Sequence, residues 1–353
     1  MKILVIQLKM IGDVLTSSVL FEALRKKYPR AELHYLVYRH TLPVLRNNPH
    51  IDKVIAFRRE EHFFYLINAV RLQKYDAVID VQATPLTALV TGFSGATTRV
   101  SYEKWYTKLA CNHVFSRSMQ AETEAGAAIE KRLRLLSPLA PDFPKNLKPK
   151  IYLQNREKRQ ALEMLQEHGL NPQEQDLFMI SILGSSQQKT YPPMFMARLL
   201  DWIVQHTNTT LLLNYIPAQE NDVMAIYNLC EKETQERIAI DLYGKNLREF
   251  LALTSYCKAL IGNEGGGVNM AKALDIPTFA IFSPELQKAN WNVFEDGTNN
   301  VSVHLRDYRP ELFQNKIQKE LKAENMRLYR EFKPEFFEDE LIAFCKKHSA
   351  NEV

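Results

Sequence analysis

Apolar residues along the chain switch repeatedly between two patterns. Short unbroken runs, suited to buried strands, alternate with stretches spaced at about 3.6 residues, suited to helices. Lys2–Leu8 is the first run, and from Asp13 the helical spacing Val14, Leu15, Val19, Leu20, Phe21, Leu24 continues to Tyr28-Pro29. Strands are then predicted at Glu32–Tyr38, Lys53–Phe57, Ala77–Gln82 and Thr98–Tyr102. Helices are predicted near Thr41–Asn47, at Glu61–Lys74, from Pro85, and over Glu122–Leu136. Such alternation implies a parallel, doubly wound sheet.

Ser137–Lys150 breaks the pattern with four prolines in fourteen residues and reads as an interdomain linker. The alternation then restarts. Helix Arg156–Gly169 leads to strand Leu177–Leu183, a polar loop 184–193, helix Met194–Gln205, strand Thr210–Tyr215 and helix Ala218–Glu231. Strand Arg237–Leu242, helix Leu247–Tyr256, strand Ala259–Gly262, helix Val268–Leu274 and strand Thr278–Ser283 follow, and an amphipathic tail begins at Pro334. The expected fold class is α/β, with two Rossmann-like doubly wound parallel-sheet domains facing each other across a cleft. Their expected spans are residues 1–150 and 151–333, with 334–353 as a C-terminal helix.

Composition narrows the picture. The net charge of +4 hides an asymmetry: residues 1–150 hold 23 Lys+Arg against 13 Asp+Glu, and the remainder 22 against 28. A basic first half suits an anionic partner, or else forms a solvated face. The four cysteines (Cys111, Cys230, Cys257, Cys345) form no CxxC pair, so neither a disulfide framework nor a zinc site is indicated, and a reduced cytosolic compartment fits. The N-terminus does not read as a signal peptide, and no apolar stretch approaches about 18 residues. Any membrane contact is therefore expected to be peripheral.

The candidate chemistry lies in loops that follow strands. Gly12-Asp13 places a carboxylate at the C-terminal edge of the first strand, where open α/β sheets bind ligands; a helix cap is the alternative reading. In the second half, Asn263-Glu264-Gly265-Gly266-Gly267 runs from a strand into a helix and lets a diphosphate approach backbone N–H groups. It is neither a Walker A loop nor a GxGxxG fingerprint. The loop Gly184–Pro192 offers Ser185, Ser186 and Lys189 to phosphate oxygens, or simply caps the next helix. Glu220 lies at a third such edge. No acid pair or His/Cys cluster has ligand spacing, so no metal and no cofactor is expected.

Taken in order, these segments, together with Tyr75–Gln82 and the stretch IGNEGGGVNMAKALDIPTFAIFSP, resemble glycosyltransferase family 9, the ADP-heptose:lipopolysaccharide heptosyltransferases. The resemblance covers roughly residues 1–290. It implies the GT-B fold and inverting, metal-independent transfer of heptose from ADP-heptose to the Kdo–lipid A inner core. It matches Asp13 to the catalytic base. Ser185, Ser186, Lys189, Glu220, Asn263, Glu264, Gly265, Gly266, Gly267 and Asn269 fall to the donor nucleotide sugar. Gly12, Gln82, Arg58, Arg59 and Arg117 are the candidates for the anionic glycolipid acceptor. The implied setting is cytoplasmic, peripheral at the inner membrane, with no nucleic acid as partner, and the C-terminal helix is expected to cross back to the first domain. The chain departs from the usual Asn-Asp-Thr-Gly at Glu264 and Gly265, and carries Asn269 where a histidine is usual. Ala83 stands for glycine and Leu86 for a basic residue. A different nucleotide sugar or acceptor, or a non-catalytic nucleotide-sugar-binding relative, is the alternative. An epimerase would want histidines in the cleft, but His34, His40, His113 and His168 are scattered.

Overall fold

The computed structural model describes residues 1–58 and 63–349. The chain divides into two compact units, Met1–Tyr152 with Ala289–Phe294, and Leu153–Lys288 with Glu295–Val353. In the first unit the described strands are β1 (Lys2–Ile6), β2 (Glu32–Tyr38), β3 (Lys53–Phe57), β4 (Ala77–Asp80), β5 (Thr98–Tyr102) and β6 (His113–Phe115). They form a parallel sheet in the order β3-β2-β1-β4-β5-β6. The central strands β1 and β4 are buried on both faces, which is why they read as unbroken apolar runs. The order reverses between β1 and β4, so a crevice opens at their carboxyl ends. The helix expected near Thr41–Asn47 is a 3-10 turn over Arg39–Val44 holding Pro43. The helix expected over Glu122–Leu136 begins only at Ala127.

The second unit contains β7 (Asp176–Ser181), β8 (Thr209–Leu213), β9 (Ala259–Asn263), β10 (Thr278–Ile281) and β11 (Asn300–Val303). They form a parallel sheet in the order β11-β10-β9-β7-β8, reversing between β7 and β9. The strand expected at Arg237–Leu242 is not formed. Lys232–Arg237 is helical, and only one parallel bridge, Leu211 to Ile238, lies beside β8. The chain turns immediately afterwards, with the Leu242 N–H donating to the Ala239 carbonyl, and this truncates the would-be edge strand.

The tail is also placed differently from expectation. Helix Glu338–His348 buries Leu341, Phe344 and Cys345 in the core of the second unit, against helix Pro193–His206, rather than crossing back to the first. Aromatic pairing accounts for this destination: Phe344 lies 5.6 Å from Phe279 of β10, and Phe337 lies 5.3 Å from Phe332.

Candidate functional site

In the first unit the crevice at β1 and β4 is shaped by Gln82. Its Oε1 accepts from the Gln7 side chain at 2.9 Å and from the Lys9 N–H at 3.1 Å. That fixes the loop which delivers Asp13. Asp13 sits in the first turn of helix Ile11–Ser17, with Oδ2 at 3.5 Å from the Met10 N–H. Its Oδ1 accepts from Arg132 at 2.6 Å. Arg132 is held in turn by the Ser17 hydroxyl at 2.9 Å and the Ala128 carbonyl at 2.6 Å. The Asp13 side chain is 25% exposed and that of Arg132 11%, so the pair is largely withdrawn from water while one carboxylate edge stays open. Asp13 is thus both a cap and an oriented carboxylate.

Gly12 lies in the same helix and accepts from the Thr16 hydroxyl. Arg117 is exposed, stacks over Tyr102 at 4.6 Å and donates to the Gln82 carbonyl at 3.3 Å, so it belongs to this crevice. Arg58 is exposed just past the carboxyl end of β3, two strands from β1. Arg59 lies outside the described residues.

Asp80 ends β4 in full burial. Its Oδ1 accepts from the Ala83 N–H at 2.9 Å, and Oδ2 has no partner. Burial pushes this carboxyl up to about 7, against the lowering pull of its hydrogen bonds and of Arg117. Ala83 has a φ of 51°, in the left-handed region that glycine adopts most readily.

In the second unit the functional groups gather at β7 and β9. The loop after β7 closes back on itself: a Cβ at Gly184 would fall 2.1 Å from the Lys189 carbonyl oxygen. Thr190 accepts from the Gly184 N–H at 3.0 Å. Asn325 donates to the Gln188 carbonyl at 2.6 Å and Tyr329 to that of Lys189 at 3.2 Å, fixing the loop from behind. Ser185 and Ser186 remain exposed, and Lys189 is half-buried.

Asn263 is fully buried, and its amide is spent on backbone groups. It accepts from the Tyr191 N–H at 2.7 Å and donates to the Ser181 and Ile182 carbonyls at 2.9 Å each. It clamps the two loops together rather than presenting its side chain to a ligand. Gly265 has a φ of 146°, and a Cβ there would meet no atom within 4 Å, so backbone conformation rather than crowding favours glycine. Gly266 opens helix Gly266–Lys272. A Cβ at Gly267 would lie 3.6 Å from the Asn214 amide and 3.8 Å from the Ser181 hydroxyl, which brings the ends of β7 and β8 to the same turn. Asn269 is half-buried, and its N–H reaches the Gly265 carbonyl at 3.3 Å.

Burial raises the Glu264 carboxyl, Lys189 lowers it, and buried Glu285 raises it again. Glu220 is exposed and opens helix Glu220–Tyr227 beyond β8. Arg132, Glu285, Asn214 and Asn325 escape the sequence reading. Among the described residues no group of three or more His, Cys, Asp or Glu is placed to hold a metal ion, and no helix is long and apolar enough to cross a membrane.

Two doubly wound units, each with polar loops at its switch point, define a Rossmann-like two-unit protein. The chain belongs to glycosyltransferase family 9 (heptosyltransferase), whose model matches residues 63–321. It is a glycosyltransferase with the GT-B fold. It is 22% identical over 280 residues to lipopolysaccharide heptosyltransferase 3 of Escherichia coli, covering 77% of this chain and 80% of that one. It is 23% identical over 293 residues to lipopolysaccharide heptosyltransferase 1 of Campylobacter coli, covering 80% and 84%. Among solved structures, the family 9 transferase from Veillonella parvula superposes with a TM-score of 0.72 at 17% identity, covering 94% of this chain and 97% of that one. E. coli ADP-heptose lipopolysaccharide heptosyltransferase II gives 0.69 at 19% identity, covering 94% and 99%.

Proposed function

We propose that this transferase moves a heptose from ADP-heptose to the inner core of lipopolysaccharide, inverting the anomeric centre without a metal, at the cytoplasmic face of the inner membrane. The observation that carries this reading is the Asp13 carboxylate, held by Arg132 at the switch point of the first sheet. In the proposed step the acceptor hydroxyl attacks the anomeric carbon, its proton passes to Asp13, and the bond to the diphosphate breaks. The charge leaving with the nucleotide is met by Lys189, the hydroxyls of Ser185 and Ser186, and the N–H groups of the Gly265–Gly267 turn. Arg58 and Arg117 supply positive charge toward the phosphates and carboxylates of a lipid A–Kdo acceptor. The names of the relatives support the same substrate class.

A second reading, a different nucleotide sugar, is favoured by one observation. Glu264, an acid raised by burial and by its like-charged neighbour Glu285, lies within electrostatic reach of Lys189 of the loop assigned to the diphosphate. Incubation of the purified protein with ADP-heptose, other ADP-sugars and UDP-, GDP- and CDP-sugars, read by mass spectrometry in the presence of inner-core acceptor, separates the two. Consumption of ADP-heptose with heptose added to the acceptor is expected. Consumption of another donor alone contradicts the heptose assignment.

A further inference from the structure

Helices Phe63–Leu72, Pro85–Phe93 and Trp105–Ala110 lie side by side along the first sheet. The last two approach so closely that a Cβ at Gly92 would sit 3.3 Å from that of Ala110. Their inner sides bury Leu66, Val70, Val90 and Thr107. Their outer sides are apolar as well. Phe64 and Leu72 are each 77% exposed, Leu89 48%, Phe93 53%, Trp105 76% and Leu109 83%. Within each helix these residues recur four or eight positions apart, so each row faces one way. A surface helix normally turns polar residues outward, and a contiguous exposed apolar face marks an interaction site.

Charge identifies the occupant. The three helices contain Arg71 and Lys108 and no aspartate or glutamate, and Lys108 pairs with exposed Glu103 at 2.6 Å. Exposed Lys74 and Lys104 flank them, as do exposed Asp76 and Glu103, in a half of the chain whose 23 Lys+Arg outnumber its 13 Asp+Glu. Each helix follows its strand, β3, β4 or β5, so its N-terminal end lies at the sheet edge that carries Asp13.

We propose that this layer seats the first unit on a bilayer bearing anionic lipid headgroups, with the aromatic and leucine side chains entering the interface and the cations meeting the headgroups. The inference rests on the reading of the acceptor as a membrane-anchored glycolipid, and it specifies the face that meets the membrane. Pairing with a second copy would bring two net-basic first halves together, which like charges oppose.

The test is co-sedimentation of the full chain with phosphatidylcholine vesicles, with and without phosphatidylglycerol, in the absence of nucleotide sugar and lipopolysaccharide. The wild-type protein is expected to bind the anionic vesicles, and raised salt to release it. The double variant Phe93→Ser/Trp105→Ser is expected to lower the partition about a hundredfold, with unchanged circular dichroism and unchanged response to nucleoside diphosphates. Equal partition of variant and wild type overturns the proposal. So does failure of the wild type to bind any vesicle, or a wild-type dimer that the double variant dissociates. Vesicle binding without heptose transfer would leave this surface standing and remove the substrate assignment instead.

Discussion

Replacing Arg132 with methionine removes the guanidinium that orients Asp13 and keeps most of the aliphatic volume. Asp13 then loses its 2.6 Å partner, and the Ser17 hydroxyl loses its 2.9 Å donor. Breaking a fully buried pair costs about 3–5 kcal/mol. Because Asp13 is 25% exposed, water re-solvates part of the carboxylate, and a cost of about 2 kcal/mol to the first unit is expected. The effect on turnover has a separate cause. A carboxylate free to leave its reactive orientation by about 1 Å costs roughly a hundredfold in rate. The expected result is a fall of about that size in kcat, with donor affinity and KM for the donor unchanged, because Arg132 belongs to the first unit and the donor loops to the second. Arg132→Lys restores charge without the fork and should recover part of the loss. Steady-state kinetics at saturating acceptor, with urea unfolding as a control, tests this. A folded Arg132→Met variant with kcat within about twofold of wild type refutes the idea that Arg132 positions Asp13 for chemistry.

Three further outcomes are expected. Lys189→Ala should weaken nucleoside diphosphate binding about ten- to a hundredfold by calorimetry, the loss of one charge-assisted contact; unchanged affinity would remove Lys189 from the donor site. Asn263→Ala should destabilise the second unit by about 3 kcal/mol, since it strands the Tyr191 N–H and the carbonyls of Ser181 and Ile182; a melting temperature equal to wild type would contradict the clamp. Asp80, raised from its ordinary 3.8 to about 7 in the folded protein, holds its proton more tightly folded than unfolded. Stability should therefore fall as pH rises from about 4 to about 7, and Asp80→Asn should flatten that slope; an identical slope in the variant's melting curves would show that Asp80 does not titrate there.

Much of this architecture is written in local patterns. Strands buried on both faces leave unbroken apolar runs, so β1, β4, β7 and β9 are visible in the sequence, as are the glycines that turn the chain after β9. What escapes is set by partners far along the chain. Arg132 meets Asp13 across 119 residues, and nothing in the run Lys131-Arg132 shows which cation turns inward. Asn325 reaches the Lys189 loop across 137 residues. Asn263 reads as a ligand because it leads a glycine loop, yet as the last residue of β9 it faces the backbone of β7. Ile238, Ile240 and Leu242 alternate as a strand should, and only the turn at Ala239–Leu242 keeps them from joining β8. An amphipathic tail announces a buried face without saying which unit buries it.

The proposed role of Asp13 in glycosyl transfer to lipopolysaccharide is tested by comparing wild type and Asp13→Asn with ADP-heptose and inner-core glycolipid, following acceptor mass. Heptose addition by the wild type and none by Asp13→Asn is expected, with nearly intact donor binding. Turnover retained by Asp13→Asn would contradict it.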